Sequence, residues 1–284
     1  MATLNPTLSA TNLDVTGRVF VVTGGTQGLG LAIARFLKGN GAAGLVLVSR
    51  SQAKGEKVCK ELQGDDGSCT VAFVSADLSK AEDASAVVPK AAEAMSGVGP
   101  ISGLVNAAAT TGRGNLLTTT AEDFDMQMAL NVRAPFLVSQ GVAKHMIENN
   151  VKGGSIVNIC SVAALGGAPF IMAYSAAKAA LSSMTKNNAA ELAPKGIRVN
   201  GVNMGWCLTE NEDKLQRQNS GDDWAEKADA GVPIGRILRP EDVAATVGFL
   251  LSDASAMMTG SVVGLHPEYS DGMLSLVADE NEGR

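Results

Sequence analysis

Hydrophobic and polar positions along the chain fall into two alternating patterns, short apolar runs and longer segments with helical spacing. The short runs, rich in Val, Ile and Leu, predict strands at residues 18–22, 45–49, 69–75, 101–106, 155–159, 197–203 and 261–265. The longer segments predict helices at 28–38, 53–62, 173–192 and 240–251, with a further long helix starting near Thr120. Most strand residues are apolar on both faces, which is typical of a parallel sheet covered by helices.

The order of these elements predicts the fold. Strands and helices that alternate at this spacing form a doubly wound α/β structure, here a Rossmann-type parallel sheet of about seven strands. Because no linker divides the chain, we expect a single domain over residues 16–284, preceded by a flexible arm at 1–15. A stretch without strand pattern near 205–235 predicts an insertion with a functional role. Ser79 and Glu82 form a capping-box pattern for the helix after the third strand.

Charge and composition exclude several classes of protein. The 284 residues carry 23 Lys and Arg against 29 Asp and Glu, a net charge of −6, which argues against nucleic acid as a partner. The chain has no run of about 18 apolar residues, and its start lacks the pattern of a secretory signal. We therefore expect a cytoplasmic protein with no membrane partner. The four cysteines lack paired spacing and neighbouring histidines, so we expect no metal site.

A glycine-rich turn lies between the first strand and the first helix. Glycines let the backbone turn tightly and approach a pyrophosphate, which then binds the amides at the helix N-terminus. A plain strand–helix turn is the alternative, but the place at the first crossover of a doubly wound sheet favours a dinucleotide site. The residues expected to hold the dinucleotide here are Gly24, Thr26, Gln27, Gly28, Leu29 and Gly30.

The end of the second strand bears on the choice of cofactor. An acidic residue there would bind a ribose 2′-hydroxyl, but this chain has Ser49 followed by Arg50. A guanidinium suits a 2′-phosphate, so we expect NADP as the cofactor, with NAD possible. The alternative is an exposed arginine on a loop.

Tyr174 lies four residues before Lys178, so both side chains share one face of the predicted helix. A nearby ammonium favours the phenolate and lowers the pKa of the phenol from about 10 toward a value useful to a general base. Ser161 follows the strand before this helix, on the ligand side of the sheet. Its hydroxyl is placed to bind the same substrate oxygen, although a Tyr–Lys pair by itself is more often an exposed polar face.

Together these motifs resemble the short-chain dehydrogenase/reductase family over roughly residues 17–260. The carrying features are the Thr-Gly-x-x-x-Gly-x-Gly turn at 23–30, Asp77-Leu78, Asn106-Ala107-Ala108-Ala109, Asn131, and Ser161 thirteen residues before Tyr174-x-x-x-Lys178. The resemblance implies an oxidoreductase that interconverts a secondary alcohol and a ketone by hydride transfer. It also implies a small-molecule substrate and a homo-oligomer, commonly a homotetramer.

The resemblance assigns a role to each catalytic residue. Tyr174 is implied as the general acid/base and Ser161 as its partner on the substrate oxygen. Lys178 is implied as a ribose ligand that also tunes Tyr174, and Asn131 as a holder of a water in a proton relay to Lys178.

The resemblance also assigns cofactor contacts outside the glycine turn. Asp77 and Leu78 are implied at the adenine, Asn106 beside the adenosine ribose, and Thr209 at the carboxamide. Many relatives that use NADP carry a basic residue where this chain has Gln27, so we expect one cation at the phosphate instead of two.

The chain departs from the family pattern at several positions. Met204-Gly205 replaces a Pro-Gly pair, and Leu265-His266-Pro267-Glu268 replaces the usual ending after the last strand. An enoyl reductase of the superfamily would have a wider Tyr–Lys gap, and an extended epimerase would be longer. A non-catalytic dinucleotide sensor or scaffold on the same fold is the alternative function. Mixed polar and apolar pocket loops favour a small polar substrate such as a sugar or polyol.

Overall fold

The computed structural model describes residues 13–64 and 67–267 of the chain. Seven parallel strands form one sheet in the order β3-β2-β1-β4-β5-β6-β7, which confirms the predicted fold class. The strands are β1 Val19–Thr23, β2 Gly44–Ser49, β3 Thr70–Ser75, β4 Ile101–Asn106, β5 Gly154–Ile159, β6 Ile197–Met204 and β7 Val262–Leu265. The order reverses at β1, whose neighbours are β2 and β4, and this is where a doubly wound sheet opens a crevice for ligands.

Helices cover both faces of the sheet. Those in the described residues are α1 Gly28–Gly39, α2 Gln52–Gln63, α3 Ala81–Ala94, α4 Ala121–Met128, α5 Ala134–Glu148, α6 Met172–Leu192, α7 Glu210–Ser220, α8 Trp224–Ala230 and α9 Pro240–Leu251. The helices α1 and α9 pack together on one face, and α3 and α5 pack together on the other. Two buried apolar clusters, one on each side of the sheet, form the core. None of the helices in these ranges combines the length and apolar content that crossing a bilayer requires.

Two local expectations need correction, and the stretch near 205–235 proves to be helical in part. The long helix begins at Ala121, one residue after its cap Thr120, but a π-helical segment at Ala129–Arg133 separates α4 from α5. The Ser79–Glu82 capping box is wrong, because α3 begins after Lys80 and the Ser79 hydroxyl instead donates to Asp77 Oδ1 at 2.8 Å. The stretch near 205–235 contains α7 and α8, and Trp224 of α8 forms a small buried cluster with Val232 and Ile237.

The packed structure begins before the expected boundary at residue 16. Val15 is fully buried and its N–H donates to the Asn40 carbonyl at 3.1 Å. The predicted boundary of the arm at residue 15 is therefore too late in the chain. Residues 1–12 lie outside the described part of the chain.

Candidate active site

A cleft of about 460 Å³ opens where the strand order reverses. Its volume falls in the range typical of small-molecule sites. Its walls come from the ends of β1, β2 and β3, the segment after β4, and the start of α7. Of the predicted cofactor residues, those that line it are Gly24, Gln27, Thr26, Gly28, Leu29, Gly30, Ser49, Arg50, Asp77, Leu78 and Thr209.

The glycine turn is held in a conformation that only glycines allow. Gly24 has φ +69° and a Cβ there would lie 3.0 Å from the backbone of Ala108. A Cβ on Gly30 would lie 2.3 Å from the Gly24 carbonyl oxygen. The side chain of Gln27, the N-cap residue of α1, makes no capping hydrogen bond, and the first turn of α1 has no acidic residue. The amides at this helix start are therefore positioned for an anion.

The end of β2 provides the second part of the cleft. The Ser49 hydroxyl is buried and has no hydrogen-bond partner among the described residues, so a ligand atom would satisfy it. Arg50 follows it on the exposed side. Hydrogen bonds from Ser79 hold the pKa of the Asp77 carboxyl below its usual value, with Arg50 and Lys80 adding a favourable charge interaction. These residues fit a dinucleotide.

The cleft includes residues that the sequence analysis missed, among them Lys54, Met126, Leu130 and Glu210. Lys54, in the first turn of α2, lines the cleft beside Arg50, and its ammonium donates to Gln27 Oε1 across the turn. The signal in the sequence is a lysine three residues after Ser51, whose hydroxyl accepts from the Lys54 N–H at the helix start.

Asn106 faces the interior of the protein. Its Nδ2 donates to Ser139 Oγ at 3.0 Å and to Asn158 Oδ1 at 2.8 Å. Asn158 in turn donates to Thr185 Oγ1 at 2.9 Å. This buried chain joins β4, β5, α5 and α6, while Ala107, Ala108 and Ala109 are the residues directly after β4 that line the cleft.

Ser161, Tyr174 and Lys178 are arranged around the end of β5. Lys178 is only 2% exposed, and its Nζ donates to the Ile159 carbonyl at 2.7 Å and lies 5.6 Å from the Tyr174 ring centroid. Ser161, two residues after Ile159, is the N-cap of a short 3₁₀ helix, and its Oγ accepts from the Ala163 N–H at 3.2 Å. The Ser161 O–H therefore remains available to donate.

Asn131 lies at the centre of the π-helical segment, which packs against α6. Its side chain is fully buried and pairs with the backbone of Thr110, donating to the carbonyl at 3.0 Å and accepting from the N–H at 3.2 Å. The buried amide of Gln127 lies 2.8 Å from Asn131 Nδ2. Asn131 is thus joined to the loop after β4, and Gln127 is a member of this network that the sequence analysis missed.

The loop after β4 is also joined to the segment that precedes α6. Gly114 N–H donates to the Phe170 carbonyl at 2.8 Å, and Met172 N–H donates to the Gly114 carbonyl at 3.1 Å. The Arg113 guanidinium lies 5.9 Å from the centroid of the half-exposed Phe170 ring. This pair of segments forms one wall beside the helix that carries Tyr174.

The insertion lines the cleft beside the glycine turn. Thr209 is the N-cap of α7 and lies 3.8 Å from where a Cβ on Gly28 would be. Trp206 Nε1 donates to Glu212 Oε1 at 2.8 Å, and its ring lies 5.4 Å from that of Trp224, centroid to centroid. The start of α7 thereby contacts both the glycine turn and an aromatic pair.

Comparison with known proteins places this site in context. Residues 16–265 match the family model described as Enoyl-(Acyl carrier protein) reductase. The chain is 36% identical over 247 residues to 2-(S)-hydroxypropyl-CoM dehydrogenase 3 of Xanthobacter autotrophicus, covering 86% of this chain and 92% of that one. It is 37% identical over 253 residues to L-xylulose reductase of Bos taurus, covering 89% and 96%. The solved structure of 3-oxoacyl (acyl-carrier-protein) reductase from Agrobacterium tumefaciens C58 with NADP bound matches with a TM-score of 0.82 at 26% identity, over 94% of this chain and 100% of that one.

Proposed function

The chain belongs to the short-chain dehydrogenase/reductase family and is an NAD(P)-dependent oxidoreductase, and from this premise we propose that it interconverts a secondary alcohol and a ketone with Tyr174 as the general acid/base. The observation that carries the proposal is the buried Lys178 ammonium beside the Tyr174 ring, at the strand end where Ser161 lies. A buried cation needs a counterpart, because its desolvation is costly, and a phenolate provides one during turnover.

Each side chain then has a task in the reaction. Tyr174 exchanges a proton with the substrate oxygen, and the Ser161 O–H donates to the same oxygen, so the two orient it and stabilise the charge that develops there. Lys178 has three donors, of which the Ile159 carbonyl accepts one. Its remaining donors serve the cofactor ribose, and its charge stabilises the Tyr174 phenolate. The nicotinamide supplies or accepts the hydride.

Asn131 has a positioning role in this proposal. Its side chain fastens the Thr110 backbone, and its helix segment packs against α6, which carries Tyr174 and Lys178. The π-helical geometry changes the backbone pairing at this point, and π segments are frequent at functional sites. We propose that Asn131 holds a water molecule that relays protons to Lys178.

We also propose NADP as the preferred cofactor. The Ser49 hydroxyl, buried without a hydrogen-bond partner in the described part of the chain, and the neighbouring Arg50 provide a donor and a charge for a 2′-phosphate at the end of β2. Asp77 and Leu78 bound the adenine side of the same cleft, and Thr209 serves the carboxamide. Asn106 contributes as an internal support, because its amide nitrogen donates to two protein side chains.

The substrate we propose is a small polar secondary alcohol or its ketone, in the manner of a sugar or polyol. The walls beside Tyr174 mix polar groups, such as Arg113 and Thr110, with apolar ones, such as Phe170 and Trp206. One relative is named for a hydroxypropyl conjugate and another for a sugar ketone. The exposed Phe136 and Ile147 on α5 support the expected homo-oligomer, since such side chains often lie at interfaces.

The test is Tyr174→Phe, with Tyr269→Phe as the matched control at the chain's other tyrosine. A panel of sugars, polyols and ketones is first screened with NADP(H) and NAD(H), by the absorbance of the reduced nicotinamide. We expect turnover of Tyr174→Phe to fall by about 10²-fold or more, because an acid/base group is lost, with cofactor affinity nearly unchanged. The control should retain turnover.

Two results would count against the proposal. Near-normal turnover of Tyr174→Phe would remove this residue from the mechanism. Tight dinucleotide binding without turnover of any panel member would instead support the non-catalytic sensor on the same fold.

A further inference from the structure

We infer that Lys54 is a specificity-determining residue for the 2′-phosphate of NADP, held over the cleft by Gln27; this inference rests on the proposed dinucleotide function. Because Gln27 is neutral, the sequence predicted that only one cation contacts the 2′-phosphate. The structure assigns the second cation to a different element, the first turn of α2.

The first argument is the position of the ammonium. Lys54 lines the cleft together with Ser49 and Arg50, which lie at the end of β2. Its side chain reaches across the mouth of the glycine turn to Gln27 Oε1. Lys54 and Gln27 are both exposed, so the hydrogen bond between them is not part of the packed core. The pair is therefore free to exchange its internal hydrogen bond for one to a ligand.

The second argument is the charge around Lys54. The N-terminal end of a helix carries partial positive charge, so a cation in the first turn is unfavourable unless an anion is close. The first turn of α2 has no acidic residue, and Arg50 adds a further positive charge beside it. Of the two acidic residues that line the cleft, Asp77 accepts from the N–H and O–H of Ser79, and Glu210 lies in the first turn of α7. An added phosphate dianion would relieve this local excess of positive charge.

The third argument is the behaviour of Gln27. It is the N-cap residue of α1, but its side chain makes no capping hydrogen bond to that helix. Its amide oxygen is used for Lys54 instead. Gln27 thus holds the Lys54 ammonium at the place that a basic side chain at position 27 would reach.

The experiment measures binding without turnover. Titration calorimetry compares 2′,5′-ADP with 5′-AMP, which differ by the 2′-phosphate, in the wild type, Lys54→Met and Lys57→Met. Lys57 is the matched control, one turn along the same helix and paired with Glu61 at 3.8 Å. We expect Lys54→Met to weaken 2′,5′-ADP about 5- to 10-fold, because an exposed charge-assisted contact is lost, while 5′-AMP binding stays within about twofold. Lys57→Met should change neither.

A rescue variant strengthens the test. Adding Gln27→Lys to Lys54→Met places a cation on the glycine turn, and we expect it to restore 2′,5′-ADP binding. Unchanged 2′,5′-ADP binding in Lys54→Met, or equal weakening of both nucleotides, would overturn the role of Lys54 while leaving NADP(H) turnover and the proposed function intact. A wild-type chain that binds neither NAD nor NADP would overturn the proposed function together with this inference.

Discussion

His145 joins a helix to the edge of a strand through one ring nitrogen. Its Nε2 accepts from the Ile101 N–H at 3.1 Å, so the first amide of β4 is paired with a side chain of α5. Burial lowers the pKa of the imidazole from its usual value near 6.5, against a smaller opposing effect of Glu148. A protonated Nε2 could not accept this bond, so the folded protein favours the neutral ring.

The lowered pKa of His145 predicts how the stability of the protein depends on pH. Below about pH 6.5 the unfolded chain binds a proton at His145 before the folded chain does, so the free energy of unfolding falls as the pH falls. The stabilisation is present at neutral pH and is lost at mildly acidic pH. His145→Gln keeps an acceptor but does not titrate, so the loss between about pH 7.5 and 5.5 should be smaller than in the wild type.

Urea unfolding at both pH values provides the measurement. His266→Gln is the control, since it removes the other histidine and keeps His145. An identical pH dependence in His145→Gln and the wild type would show that this ring does not contribute.

At the scale of elements, hydrophobic periodicity was sufficient for the sheet and for the helices that cover it. It was insufficient for α7, whose sequence is mostly polar and offers no apolar stripe. The π-helical segment was missed because its pattern is the same as that of the surrounding helix. Lys54 was missed because its importance depends on how α2 lies relative to the glycine turn, a tertiary relation that no local pattern encodes.

Arg198 provides a prediction at this scale, because it joins β6 to the end of α9. From β6 its guanidinium donates to the carbonyls of Leu250 at 2.9 Å and Ser252 at 3.0 Å, and to Ser255 Oγ at 2.9 Å, at the end of α9. Burial lowers the pKa of this guanidinium, yet the carbonyls at a helix C-terminus favour its charge. Arg198→Met removes these charge-assisted hydrogen bonds, and only neutral donors, such as the Ser255 hydroxyl, then donate to the carbonyls of Leu250 and Ser252.

We expect Arg198→Met to lower the free energy of unfolding by about 2–4 kcal/mol. The control is Arg35→Met on the exposed side of α1, which removes the same charge and should cost within about 0.5 kcal/mol. Equal effects of the two substitutions in urea unfolding would mean that Arg198 acts only through net charge.

At the scale of the whole molecule, the cleft joins distant parts of the sequence. Its walls include Gly24 near the start of the chain and Asn211 in α7, with Asp77 and Ala108 between them. Thr23 Oγ1 further ties β1 to the segment after β4 by accepting from Ala107 N–H at 3.1 Å and Ala108 N–H at 3.2 Å. A ligand that fills this cleft therefore contacts residues that come together only in the folded state.

The corresponding prediction is a thermal shift. A ligand at 100 times its Kd stabilises the folded state by about 2.7 kcal/mol, which raises Tm by roughly 5–10 °C in a domain of this size. At equal concentration NADP should raise Tm more than NAD, and Arg50→Ala should narrow the difference between them. A larger shift with NAD, unaffected by Arg50→Ala, would make Arg50 a surface arginine without a role in cofactor choice.

Two hydrogen bonds join Gly114 to Phe170 and Met172, so the segments 109–119 and 166–172 form one unit for protein engineering. A chimera that takes only residues 109–119 from a relative would have to form these two hydrogen bonds with a segment from the other parent. That segment lies at the start of the helix that carries Tyr174. A chimera that also takes 166–172 brings both segments from one parent. Substrate range should therefore transfer between relatives when these two segments are exchanged together, although residues 120–165 separate them in the chain.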